Sequence, residues 1–448
     1  MRPLVVVLCL LAAQVRAEPA AVPIPLTLLD VPELFVAPQH VPTWEQSLDL
    51  TGGLFRAAHL GIHAGFASLS TAWWSVLLET ASVTLFDLFM GFAPLPLTTG
   101  WMHEEGHRAV MRVNGVPSKQ VFNNLFYAAN ERCDEGSVCG MTDEQIATVK
   151  QRRSADWVRV QSAGMETELE LMRRIERDAF FSEQPRALNI PVSALLLASV
   201  ELYRHVCAEG IFTEQDVLDE NTDMLRRDFT GPDCSGFVVD LFRPNEAYAA
   251  RGPHPNGDGV RRLRLSSDLT AAERSYLIRS RNLGLLNFVD PALFGFPRFD
   301  FTVGGKRLSL SASVQHDMTA FGDAFGLSVL GRFEQLQGYA IVRVYRNEAL
   351  VLPGLTVAVR RFPIQLGSFT LRGSAQVDLW LQPRDFSFTT TVVMPGAAAE
   401  VQAALPVVGP LEVFAAVKAK SAGWRPVDPF LDAAFTARVG VNLLMPVL

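Results

Sequence analysis

Positive charge is scarce in this 448-residue chain, where 40 Lys and Arg stand against 47 Asp and Glu for a net charge of −7. That balance cannot supply the basic face needed to neutralise phosphates, which excludes a nucleic-acid partner. Short basic runs such as Arg152-Arg153 and Arg261-Arg262 have acids close by and read as solvated surface. Cysteine is equally sparse: five residues, with no CxxC spacing, so a cysteine-ligated zinc ribbon is excluded. Charged residues as a whole make up only 19% against 49% apolar, rich for a soluble protein, so contact with a membrane becomes an open question.

The amino-terminal stretch explains part of that apolar excess. Arg2, the apolar residues 4–13 and Val15-Arg16-Ala17 have the layout of a secretory signal peptide, residues 1–17, and imply an exported chain. Cys9 lies inside the apolar stretch, away from the cleavage point where a lipoprotein cysteine would sit. Four cysteines then remain, an even number in an oxidising compartment. Short loop closure favours Cys133 with Cys139 and Cys207 with Cys234.

Histidine is rare as well, with eight in the chain, yet two of them fall in His103-Glu104-Glu105-Gly106-His107. On a helix, residues four apart stack with a rise of about 6 Å, so both imidazoles can address one cation. This is the HExxH arrangement of zinc hydrolases, in which the glutamate reaches the metal-activated water without ligating the metal. The flanks suit a helix. Thr98 or Thr99 can cap its start, no proline interrupts 101–113, and Asn114-Gly115 is a stop signal. Trp101, Ala109, Val110 and Val113 give it an apolar side.

A catalytic zinc needs three protein ligands and an open position. The tract 142–181, opened by Thr142 and Gln145 as a capping box, reads as helical and carries Glu166, Glu168 and Glu170, any of which could be the third donor. Ala163 and Gly164 leave room there for another helix to approach. HExGH preceded by apolar helices and followed by such an acidic helix resembles the gluzincin metallopeptidases of the CAAX-prenyl-protease and HtpX type. The resemblance covers about 70 residues, to Glu170. It implies His103, His107 and Glu166 as zinc ligands and Glu104 as the base, with Glu170 where that family has aspartate and Leu169 where it has alanine.

The remaining stretches divide into four. Residues 18–53 are rich in proline and read as an irregular segment. Residues 54–243 form the helical, metallopeptidase-like domain; within it 57–78 carry no formal charge, so a hairpin there is either buried or embedded in lipid. Residues 191–203 read as a buried helix ending near His205, a candidate to stabilise an oxyanion. Residues 244–297, with the Pro- and Gly-rich run 244–259 around His254, read as a linker and a helix capped by Thr270 and Glu273.

From 298 to 448 the texture is alternating and β-branched, at 299–303, 308–314, 338–344, 355–359, 369–381, 386–393, 411–417 and 433–444. That is the pattern of an antiparallel sheet closed into a barrel, in an outer membrane or in solution, although the chain ends without a terminal aromatic residue. The expected fold class is α+β. The expected function is an exported zinc metallopeptidase, a hydrolase of protein or peptide substrates, in the periplasm or associated with the outer membrane. The alternative is an outer-membrane barrel without activity whose helical domain is a plug or scaffold.

Overall fold

The computed structural model describes residues 21–36, 42–67, 73–126, 128–133, 138–183, 188–367 and 369–446. The signal-peptide expectation at 1–17 lies outside them. Eight longer helices and ten longer strands build most of the described fold, beside a two-residue pair, Lys119–Gln120 with Val138–Cys139. The helices are α1 (Trp44–Ala67), α2 (Trp73–Phe92), α3 (Thr99–Val113), α4 (Asp143–Arg152), α5 (Ser154–Ser182), α6 (Ile190–Glu209), α7 (Asp233–Phe242) and α8 (Ala271–Gly284). The strands are β1 (Ala21–Val31), β2 (Phe299–Val303), β3 (Lys306–Thr319), β4 (Gly322–Phe333), β5 (Leu336–Arg346), β6 (Val351–Leu366), β7 (Phe369–Pro383), β8 (Val393–Val408), β9 (Leu411–Lys420) and β10 (Ala434–Pro446).

All ten strands join one antiparallel sheet in which β2 to β10 follow in chain order and β1 pairs with β10, Ala21 opposite Pro446. The α+β class therefore holds. Closure is not seen among the described residues: the hydrogen-bonded ladder ends at β1 on one side and β2 on the other, so both are edge strands. Within 18–53, the described residues 21–36 and 42–53 are also more ordered than the composition predicts. Pro23 and Pro25 lie in β1, where only an edge strand tolerates lost donors, and α1 starts at Trp44. The stretch 386–392 is a connection, with only Val393 opening a strand, and neither β4 nor β8 was anticipated.

The two rims of the sheet differ. Turns of two residues at 304–305, 334–335 and 409–410, and the end of β6 with the start of β7, share one rim with the start of β1 and the end of β10. The other rim has the long connections 384–392 and 421–433 beside the shorter ones 320–321 and 347–350. Helix α5 runs from the second rim, where Arg153 pairs with Asp432 at 2.6 Å, to the first, where Glu183 just past its end meets Arg332 at 3.0 Å. It therefore fills the concave side of the sheet, alongside α1.

That concave side is polar. Strands present charged groups inward to α1 and α5: Arg438 meets Glu45 at 3.0 Å, Asp317 meets Arg173 at 2.9 Å, and Arg360 meets Asp178 at 2.7 Å. A polar cavity of about 300 Å³ remains between them. The apolar core lies elsewhere, in the helical layer stacked on the long-connection rim, where Trp44, Met102, Trp157 and Phe237 are fully buried and Phe242 packs on Phe388. The stretch 244–259 packs against this layer. Arg251 pairs with Asp240 at 2.7 Å, and Arg227 donates to the Asp258 carbonyl at 2.8 Å.

Candidate metal centre

Helix α3 forms where its signals put it. The Thr98 hydroxyl accepts from the Trp101 amide at 3.3 Å, and Gly115, with φ of 75°, turns the chain away after Asn114. Every residue from Trp101 to Arg112 is buried, so this is not a solvated charged face. The charges not facing the two histidines are matched locally: Glu105 accepts from Arg108 and Gln120, and Arg112 donates to Glu33.

Helix α3 lies directly against α5, and two glycines permit that. A Cβ on Gly106 would come 2.2 Å from Thr167 Oγ1 and 2.8 Å from the Ala163 carbonyl. A Cβ on Gly164 would come 2.3 and 2.4 Å from the Nε2 atoms of His103 and His107. Gly164 thus forms the floor under both imidazoles, and any side chain there would occupy the place where the nitrogens converge.

Facing that floor is Asp233, the first residue of α7. One of its carboxylate oxygens lies 3.0 Å from His103 Nε2 and 3.3 Å from His107 Nε2. The three groups are buried, and one donor atom from each lies within 4.8 Å of the others. The far nitrogens are held as metal-binding histidines hold them. His107 Nδ1 donates to the Val160 carbonyl at 2.6 Å, leaving Nε2 for the centre, where it has no hydrogen-bond partner among the described residues. His103 Nδ1 faces Glu168 at 3.5 Å, and Glu168 accepts from the Ser199 hydroxyl at 3.0 Å. The ring of His103 stacks on Tyr203 of α6, 5.0 Å between centroids.

No family model, curated protein or solved structure matches the chain.

The acid that lies against both imidazoles is Asp233 and not Glu166. Glu166 points away from the imidazoles, gripped by Arg159 at 2.5 and 2.9 Å and by the Val427 amide at 2.6 Å, and so ties α5 to the 421–433 connection. The helical repeat explains the difference. Glu168 is one turn beyond Gly164 and shares its face, whereas Glu166 is two residues on and turned roughly 200° around the axis. Glu170 is taken by Arg174 and Arg177, each at 3.1 Å. His205 is exposed, and His254 is buried near Glu220, 3.9 Å away, so neither joins the centre.

The electrostatics follow from burial and from the shared carboxylate. Burial alone would raise Asp233, but the two imidazoles outweigh it and hold the acid far below the ordinary carboxylate range. Burial alone would lower His103, but hydrogen bonds to Asp233 and Glu168 hold it well above its ordinary value. Glu104 is pushed up to about 7, chiefly by burial and against the pull of both histidines. Two imidazoles and one carboxylate around one point, the imidazoles braced from behind, form a donor set that suits Zn²⁺.

The sequence did point to one support of Asp233. Cys207 of α6 and Cys234 of α7 form a disulfide, and the other pair is Cys133–Cys139, both as short loop closure favours. The first of these fastens the residue after Asp233 to the helix that carries Tyr203.

Proposed function

We propose that the chain is an exported zinc-dependent peptidase whose catalytic layer is carried in an outer membrane by its β-sheet. The observation that carries the catalytic half is the convergence of His103, His107 and Asp233 on one point within 4.8 Å, beside the buried Glu104. His103, His107 and Asp233 would hold the metal, with Glu168 and the Val160 carbonyl orienting the two rings. A bound zinc supplies Lewis acidity and lowers the pKa of water towards about 7. Glu104, adjacent to a ligand but not one itself, takes the proton of the attacking water and returns it to the leaving amine. The Tyr203 ring keeps His103 from rotating.

The membrane half is supported by the sheet's two faces. Along β7, Val377, Leu379 and Leu381 point out and are exposed, while Asp378, Trp380 and Gln382 point in and are buried. The same holds along β9, where Val413 and Val417 face out against Glu412, Lys418 and Lys420 inside. Apolar outside with charged inside is the reverse of a soluble sheet and suits a lipid-facing wall around a polar filling.

The experiment is metal analysis of the purified full-length protein together with casein hydrolysis by wild type and Glu104→Gln. One zinc per chain, activity in the wild type, and loss of activity with retained zinc in the variant are expected. A metal-free protein, or unchanged hydrolysis in the variant, overturns the peptidase and favours an inert, plugged barrel.

A further inference from the structure

The sheet leaves an opening between its edge strands β1 and β2, and lipid cannot satisfy backbone groups exposed in such an opening. A continuous chain of helix contacts crosses it. β1 is tied to α1 by Thr27, whose amide and hydroxyl donate to Asp49 at 3.0 and 2.7 Å. α1 is tied to α2 by His59 and Asp87 at 2.6 Å and by the edge-on ring pair Phe55 and Phe86. α2 packs on α6 so closely that a Cβ on Gly91 would come 2.6 Å from Leu195. α6 reaches β3, the neighbour of β2, through Arg204, which donates to the His316 carbonyl at 3.4 Å.

Within this chain α2 stands on the outside. Its only acids, Glu79 and Asp87, turn inward to His63 and His59 of α1, at 2.7 and 2.6 Å. Its outward face is therefore free of charge: Trp73, Leu77, Leu85, Phe89 and Phe92 are all exposed, Trp73 by 77%. Twenty residues at 1.5 Å each span about 30 Å, the thickness of a bilayer's hydrocarbon core. Aromatic residues cluster at both ends, Trp73 and Trp74 at one and Phe89 and Phe92 at the other, as at the two interfaces of a membrane helix. Both flanking edges continue the apolar surface, with Leu28 on β1 and Phe301 on β2 exposed.

We propose that α2 is a lipid-facing stave that closes the opening, so that the membrane wall consists of ten strands and one helix. This rests on the membrane reading above and adds a second, helical lipid contact to it. Of the seven tryptophans, Trp73 and Trp74 are exposed and the other five are buried, which gives the contact its own reporter.

The test reconstitutes the full-length protein into phosphatidylcholine vesicles with either ordinary or brominated acyl chains and compares tryptophan emission. Brominated lipid should quench up to the share of two tryptophans in seven, and Trp73→Phe/Trp74→Phe should remove that quenching while the protein still sediments with vesicles. Sedimentation without quenching overturns the stave and leaves the sheet's membrane contact intact, and is also what a protein partner or a second copy covering α2 would give. Quenching that survives in the double variant likewise overturns it. Failure to enter vesicles at all removes both readings. Should the double variant not fold, wild-type quenching in vesicles, set against its absence when brominated lipid is added to detergent-held protein, decides alone.

Discussion

Replacing Asp233 by Asn keeps the shape of the side chain and removes the charge that both imidazoles share at 3.0 and 3.3 Å. Zinc held by protein donors is worth about 10–16 kcal/mol in small folded sites, so one donor of three carries about 3–5 kcal/mol. At about 1.4 kcal/mol per tenfold, Asp233→Asn should weaken zinc binding by about 10²–10⁴ in Kd. The assay is competition with a chromophoric chelator on protein whose far-ultraviolet circular dichroism matches wild type. The paired control is Glu166→Gln. It loosens a buried ion pair to Arg159, and breaking such a pair costs up to about 3–5 kcal/mol of stability, yet it should leave zinc affinity within a few-fold of wild type. The reverse outcome, zinc lost with Glu166→Gln and kept with Asp233→Asn, would refute the assignment of Asp233 and restore the ligand set that the family resemblance implies.

Three further outcomes are expected. Gly164→Ala places a methyl group 2.3–2.4 Å from both Nε2 atoms, so zinc content should fall below a tenth of wild type in preparations that retain helical structure; full zinc occupancy in this variant would mean that the ion sits elsewhere. Removing the Cys207–Cys234 disulfide should cost about 2–5 kcal/mol in denaturant unfolding and should also weaken zinc binding, because it frees the residue beside Asp233, whereas removing Cys133–Cys139 should leave zinc binding unchanged. Val377→Arg on the outer face of β7, where Val377 is 48% exposed, should cost about 2–4 kcal/mol if that face meets the middle of a bilayer, but within about 0.5 kcal/mol if it meets water; folding yield into vesicles separates the two.

Helix α3 was legible because its information is local: two histidines and a glutamate at fixed spacing, a threonine cap, and a glycine stop. Asp233, the third ligand proposed here, was not, because it enters from a helix start far along the chain and carries no periodic signal of its own. The acids on α5 were conspicuous by their number, but the turn angle from Gly164 selects Glu168 as a brace and sends Glu166 to Arg159. Strands from 298 onward were legible in their alternation, and Ser309 and Ser311 against Leu308 and Leu310 already separated a polar from an apolar face. Which face would point inward depends on what fills the sheet, and that is α5, whose arginines and acids match those of the strands. Strand β1 was hidden by Pro23 and Pro25, residues that argue against a strand except at the edge it occupies.

The unequal rims bear on sidedness. Three of the two-residue turns, the start of β1 and the end of β10 share one rim, while the longest connections, the turn 320–321 and the layer holding Asp233 and its partners lie at the other. Outer-membrane barrels keep their tight turns towards the periplasm and their long connections towards the surroundings. A sheet inserted in that sense would display the zinc centre on the cell's exterior, so the proteins it cuts would be met outside the cell, and a protease or label too large to cross the envelope would reach the catalytic layer on intact cells.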